Sequence, residues 1–179
     1  MQGMKNVVLI GFMGTGKTSS GRMLAQKLGC AFIDLDQKIE KDQGCSIPKI
    51  FATQGEAAFR ALEHQAVLEV AGRRNAVICT GGGTVKDPAN MEALRASGVI
   101  VCLRADVDAI LERTQTRGDR PVLDGADAGD RRAAIEQLLA ERASLYAEAD
   151  CVVDTSTLSP LQVVEKILRY LRSRGVIHA

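Results

Sequence analysis

At 179 residues the chain has the length of one domain, and with 46% hydrophobic and 25% charged residues its composition is that of a folded globular protein, not a disordered one. Its 23 basic and 22 acidic residues leave a net charge of +1, which gives no basis for charge-driven binding to nucleic acid or a membrane surface. No apolar run approaches the roughly 20 residues of a membrane span. Lys5 before an apolar stretch faintly resembles a signal peptide, but the polar, glycine-rich residues from Gly14 to Thr18 are no cleavage region.

In chain order, short β-branched runs stand at Val7–Ile10, Ala31–Asp34, Ala76–Cys79, Val99–Leu103 and Cys151–Asp154. Helical spacing fills the gaps. Thr18–Leu28 places Met23, Leu24 and Leu28 on one face and ends at Gly29. Pro88–Ala96 is stopped by Gly98, and Asp106–Thr114 has Asp106 as its N-cap. Arg131–Glu148 carries apolar residues at helical intervals, and Pro160–Leu171 begins with proline in its first turn. Strands alternating with helices predict an α/β domain: a five-stranded parallel sheet between two helical layers, with right-handed crossovers. One domain, 1–179, is expected.

Two segments interrupt the alternation. Lys38–Ala71 is too long for one crossover helix, and Gly44, Ser46-Ile47-Pro48 and Gly55 divide it into two or three helices, a lobe of about residues 36–71 beside the sheet. Gln115–Gly129 has three glycines, three aspartates and little apolar content; a structureless stretch of this length inside a compact domain is commonly a lid.

The cysteines at 30, 45, 79, 102 and 151 are odd in number and lack CxxC spacing, and Cys79, Cys102 and Cys151 lie in apolar strand runs. They read as small buried hydrophobes in a cytoplasmic, reduced protein. With only His64 and His178, a histidine metal site or catalytic triad is hard to build.

Gly11-Phe12-Met13-Gly14-Thr15-Gly16-Lys17-Thr18 fits G-x-x-x-x-G-K-[ST] without mismatch, with a strand before it and a helix after it. Glycines there let backbone N–H groups converge on phosphate oxygens at a helix N-terminus. Lys17 then reaches the β- and γ-phosphates, and the Thr18 hydroxyl is placed to ligate Mg²⁺. Asp34-Leu35-Asp36 is read as the end of the second strand, with both carboxylates on one face at the carboxyl edge of the sheet. That placement suggests metal support and contact with a hydroxyl acceptor. Gly81-Gly82-Gly83 ends the third strand, and three adjacent glycines suggest that something approaches the backbone closely. Thr80 stands where an aspartate often ends such a strand, which moves the metal-supporting role toward Asp34. Arg60, Arg120 and Arg142 acquire meaning only in combination with these motifs.

In this order and spacing the motifs resemble the shikimate kinases, a family of small P-loop kinases, from Val8 to about Leu171. The resemblance rests on residues 11–18, Asp34-Leu35-Asp36, Ser46-Ile47-Pro48 with Ile50-Phe51, Gly55-Glu56, Phe59-Arg60 and Glu63. It continues with Thr80-Gly81-Gly82-Gly83, Arg120-Pro121 with Leu123, Glu141-Arg142, Leu145-Tyr146 and Ala149-Asp150. The lid is the most divergent part, made acidic by Asp119, Asp124 and Asp127 with Asp130 just beyond it.

The resemblance implies ATP-dependent phosphorylation of the shikimate 3-hydroxyl, a step toward aromatic amino acids. ATP would sit on Gly14, Thr15, Gly16, Lys17, Thr18 and Ser19, with Mg²⁺ held by Thr18 and, through water, Asp34. Asp36 would hydrogen-bond the shikimate hydroxyls, Arg60 and Arg142 would clamp its carboxylate, and Gly82 would offer a backbone N–H. Arg120 would swing in with the lid onto the transferring phosphate. Arg113 resembles the family's adenine-stacking arginine, with a further adenine contact near Ser159-Pro160. Lys17, Asp36 and Arg120 form the expected catalytic set, and the enzyme is expected to act as a monomer on ATP and shikimate without nucleic-acid or membrane partners.

Rival readings remain at this stage. A gluconate-type kinase would also want an arginine, a nucleoside monophosphate kinase would need a base-reading acceptor pocket, and a GTPase-type switch would carry N-K-x-D, which the chain lacks. Either arginine of the clamp could instead merely pair with a neighbouring acid, Glu56 or Glu63 for Arg60 and Glu141 or Glu148 for Arg142.

Overall fold

In the computed structural model, residues 3–114 and 128–178 are described. The β-branched runs form β1 (Asn6–Ile10), β2 (Ala31–Asp34), β3 (Ala76–Cys79), β4 (Gly98–Arg104) and β5 (Cys151–Asp154). All pair in parallel in the order β2-β3-β1-β4-β5. Central β1 pairs on both sides, Val8 opposite Ile78 and Ile100, and is buried throughout, as a parallel strand covered on both faces must be.

Alternation along the strands divides the core in two. Val7, Leu9, Val77, Cys79, Val101 and Leu103 face α1 (Lys17–Leu28) and α8 (Pro160–Ser173), contributing to one cluster with Leu24, Val164 and Ile167. Val8, Ile10, Ile78, Ile100 and Cys102 face the other way, against α2 (Leu35–Gln43), α3 (Ile47–Gln54), α4 (Glu56–Ala71) and α5 (Pro88–Ser97). A third cluster, Phe12, Ile110 and Ile135, joins the phosphate-loop side to α6 (Val107–Thr114) and α7 (Ala128–Tyr146). The expected three layers are therefore present, and the interrupted segment holds three helices.

Two expectations need correction. β2 ends at Asp34, whose side chain accepts from the Gln37 N–H and caps α2, so Asp36 stands in the first turn of a helix and not on the strand. The expected loop of 115–129 ends sooner than read, because residues 128 and 129 already belong to α7; residues 115–127, with Arg120, lie outside the described residues. Among the described residues no helix is long and apolar enough to cross a membrane. All five cysteines are free, with Cys79 and Cys102 buried and Cys30, Cys45 and Cys151 partly exposed, so Cys151 is less enclosed than its strand suggested.

Candidate active site

The phosphate loop joins β1 to α1, and backbone sterics dictate its glycines. Gly11 has φ +146°, and a Cβ there would lie 2.2 Å from the Leu103 carbonyl oxygen. Gly14 and Gly16 also have positive φ, +77° and +88°. Gly16 caps α1 without a side chain, and the first turn holds no acid, so the dipole at this N-terminus is left for an anion. The loop is braced from both sides. Lys17 Nζ donates to the Gly11 and Phe12 carbonyls at 2.6 and 2.9 Å. Outside, Arg113 Nη1 donates to the Gly14 carbonyl at 3.1 Å and to Thr155 Oγ1 at 3.0 Å, while the Thr155 hydroxyl donates to the Thr15 carbonyl at 3.0 Å.

A cleft of about 390 Å³ opens over this loop. Residues 13–20, Asp34, Asp36, residues 80–82 and Arg113 line it, together with Thr155, Leu158, Pro160 and Val163 from the β5–α8 junction. It thus gathers Gly14, Thr15, Gly16, Lys17, Thr18, Ser19, Asp34, Asp36, Gly82 and Arg113 into one space. Thr18 Oγ1 donates to Asp34 Oδ2 at 3.2 Å, while Asp34 Oδ1 holds the α2 cap. Asp36 is pushed up to about 6 by burial first, then by Asp34 and Glu63; Lys17 opposes the shift. Ser159, at the expected adenine end, spends its hydroxyl on a capping box with Gln162.

Arg60 and Arg142 do not line this cleft; the three glycines connect them to it. A Cβ on Gly81 would stand 2.7 Å from Asp36 Oδ1, on Gly82 3.3 Å from Arg142 Nη1, and on Gly83 2.6 Å from Arg60 Nη2. Each glycine seats one side chain of the expected acceptor set, which is the close approach that the triple glycine called for.

The two arginines differ in partners. Arg60 Nη1 donates to Glu63 Oε1 at 2.9 Å and its Nε lies 3.6 Å from Glu56, so its acid neighbours do pair with it. Arg142 pairs with neither Glu141 nor Glu148. Its Nη1 donates to the Gly82 carbonyl at 3.0 Å and its guanidinium lies over the Phe12 ring, 5.5 Å from the centroid. It is 6% exposed, its Nε has no hydrogen-bond partner, and among the described residues it forms no ion pair. A buried guanidinium without a carboxylate partner keeps positive charge and donor capacity that neighbouring side chains do not neutralise.

Sequence reasoning assigned no role to Tyr146, whose hydroxyl also donates to the Gly82 carbonyl at 3.1 Å, nor to Thr155. The only signal for Tyr146 was its place in the Leu145-Tyr146 motif. For Thr155 there was none beyond its position after β5.

Comparison with known proteins places the chain among its relatives. The family model described as Shikimate kinase matches residues 13–172. The chain is 45% identical over 166 residues to a shikimate kinase of Thermodesulfovibrio yellowstonii, covering 93% of this chain and 94% of the relative. It is 45% identical over 174 residues to one of Pelotomaculum thermopropionicum, covering 97% and 99%. Among solved structures it is similar to shikimate kinase from Acinetobacter baumannii in complex with shikimate, with TM-score 0.91, 35% identity, and coverage of 97% and 96%.

Proposed function

The chain belongs to the shikimate kinase family, and from that premise we propose how its residues transfer a phosphoryl group from ATP to shikimate. The activity is that of a shikimate kinase, with ATP as co-substrate, in aromatic amino acid biosynthesis.

In our reading the ATP phosphates rest on the N–H groups of residues 14–18. Lys17 turns from the Gly11 and Phe12 carbonyls toward the β- and γ-phosphates, and Ser19 adds a hydroxyl beside them. Arg113 already braces the loop against Thr155, so its guanidinium plane serves the adenine side from a fixed position, next to Leu158 and Pro160. Shikimate binds by its carboxylate to Arg60 and Arg142, with Gly82 between them. Asp36 holds the hydroxyls and orients the 3-hydroxyl toward the γ-phosphorus. The new bond forms between that oxygen and phosphorus as the bond to the β–γ bridging oxygen breaks and the hydroxyl gives up its proton, yielding shikimate 3-phosphate, ADP and a proton released to solvent. A loose, anionic transition state needs positioning and positive charge more than a strong base. Asp36 therefore need only orient the hydroxyl, and Lys17 supplies charge, joined by Arg120 of the lid.

The residues fit Mg²⁺. Thr18 and Asp34 offer hard oxygen donors 3.2 Å apart beside the phosphate loop, and the described residues hold no cluster of three or more metal-ligating side chains. That suits a cation which keeps mostly water and phosphate ligands. Thr18 would hold it directly and Asp34 through water; bound there it would draw charge from the β- and γ-phosphate oxygens.

We read the chain as one domain, 1–179, with a substrate lobe of about 36–71 and a lid ending before α7, at about 115–127. We read the enzyme as a monomer, and five free thiols suit a reducing cytoplasm. The observation that carries the acceptor assignment is the seating of Asp36, Arg142 and Arg60 on three successive glycines. A coupled ADP-release assay across shikimate, quinate, gluconate and nucleoside monophosphates tests it. ADP release is expected with shikimate; preference for gluconate would overturn the assignment.

A further inference from the structure

α4 presents Arg60, Glu63 and His64 along one side, and all three reach toward the segment after β3. Glu63 is 1% exposed and its carboxylate is fully engaged: Oε1 takes Arg60 and Oε2 takes the Thr84 hydroxyl at 3.0 Å. Thr84 is itself buried, and its carbonyl accepts from Asn90 Nδ2 at 3.0 Å. Asn90, 1% exposed, turns its Oδ1 to His64 Nδ1 at 2.7 Å.

The chemistry fixes every orientation. A carbonyl oxygen only accepts, so the Asn90 amide must present its NH₂ to Thr84 and its oxygen to His64. The proton of that last bond therefore sits on His64 Nδ1, with Asp87 of the α5 cap 3.8 Å away. The series runs from a ring that is 35% exposed, through two buried side chains, to a buried carboxylate.

We propose that His64, Asn90 and Thr84 are positioning residues for the acceptor's carboxylate clamp. The inference rests on the acceptor-site reading given above. Thr84 follows Gly83, against which the Arg60 guanidinium lies, so anchoring Thr84 anchors the residue next to that floor, while its hydroxyl aims the carboxylate that holds Arg60. Asn90 anchors the Thr84 carbonyl, and His64 anchors Asn90. Without the Thr84 hydroxyl, Glu63 Oε2 is a buried acceptor lacking its donor, and the carboxylate turns to find another. Arg60 turns with it.

Steady-state kinetics on full-length Thr84→Val, Thr84→Ser, His64→Leu and His64→Gln test this, with thermal melts alongside. Thr84→Val is nearly isosteric, and His64 is partly exposed, so folding should survive in both. Thr84→Val should raise KM for shikimate about five- to tenfold and His64→Leu about two- to fourfold. Thr84→Ser and His64→Gln, which keep a donor, should return to within about twofold of the parent. KM for ATP and kcat should stay within about twofold, a split that loss of general stability would not give. Parental KM for shikimate in both Thr84→Val and His64→Leu, or an equal rise in KM for ATP, overturns the inference. A parent without shikimate-dependent ADP release would instead overturn the acceptor reading, and this inference with it.

Discussion

Gly83 and Arg60 are in such close apposition that one methyl group would separate them: a Cβ at position 83 would stand 2.6 Å from Nη2, 2.7 Å from Nη1 and 2.9 Å from Cζ. The obstructed atoms are the far end of a flexible side chain, so Gly83→Ala should fold with little loss of stability, its Arg60 pushed aside. Shikimate affinity should fall about tenfold or more, as when a charge-assisted contact worth about 1.5–3 kcal/mol is lost. ATP affinity should not change. Gly11→Ala makes the contrast, since there the obstruction is backbone 2.2 Å away at φ +146°, and the protein should fail to accumulate folded. Titration calorimetry and expression of the two variants check both outcomes; a Gly83→Ala variant that binds shikimate normally would remove the seat.

The β-branched runs and the phosphate loop are legible in sequence because local rules suffice for both: strand period, glycine sterics and a helix start. Asp34-Leu35-Asp36 misleads because an aspartate ending an apolar run reads equally as a strand end or a helix N-cap. Here it is both, and Asp36 is helical. The triple glycine announced a close approach without naming the visitor, since Asp36, Arg60 and Arg142 arrive from three different helices. Tyr146 carries only its place in the Leu145-Tyr146 motif, and Thr155 carries no local pattern. Their partners lie 64 residues (Gly82) and 140 residues (Thr15) away in the chain.

Lys17→Met should abolish phosphoryl transfer, with turnover down about 10²–10³-fold or more, because a donor aimed at developing phosphate charge is lost. Lys17 is more than a projecting charge, however, since Nζ ties the Gly11 and Phe12 carbonyls. Folding stability should therefore drop by about 1–2 kcal/mol, more than a solvent-facing helix start would suggest. Urea melts and single-turnover assays measure the two effects. Near-parental turnover would refute the phosphate role.

Asp36 should destabilise the metal- and ligand-free protein at neutral pH. Its folded value near 6 lies above its ordinary 3.8, so between these values the folded state holds more protons than the unfolded one. Stability contributed by the neutral carboxyl is full below about pH 4 and is lost as pH rises through about 6. The loss totals about 2–3 kcal/mol at 1.36 kcal/mol per unit. Asp36→Asn removes that dependence, so with EDTA present the variant should gain on the parent between pH 4 and pH 8, although it loses shikimate turnover. Urea melts at the two pH values decide it; a difference independent of pH would contradict the burial of a charged Asp36.

Arg60 and Arg142 should part company when each is replaced by methionine, which keeps much of the stem packing and deletes the fork. Arg142 makes no ion pair among the described residues and buries an Nε without a partner, so Arg142→Met leaves no orphaned carboxylate behind. It gives up one hydrogen bond to the Gly82 carbonyl and a cation–π contact, and it sheds the desolvation of a guanidinium. Its melting behaviour should stay within about 1 kcal/mol of the parent. Arg60→Met instead strands Glu63, 1% exposed, with only the Thr84 hydroxyl for company. Arg60 itself is about a third exposed, which screens the pair, so the loss should be about 1–3 kcal/mol, short of that for a fully buried one. Both variants should bind shikimate about 10–150-fold more weakly, because each removes one side of a bidentate grip on its carboxylate. Calorimetry with shikimate, then with ATP alone, separates the effects, since ATP should bind both variants as it binds the parent. If Arg142→Met keeps parental shikimate affinity, the buried guanidinium serves the Gly82 turn and not the substrate, and the clamp reduces to Arg60.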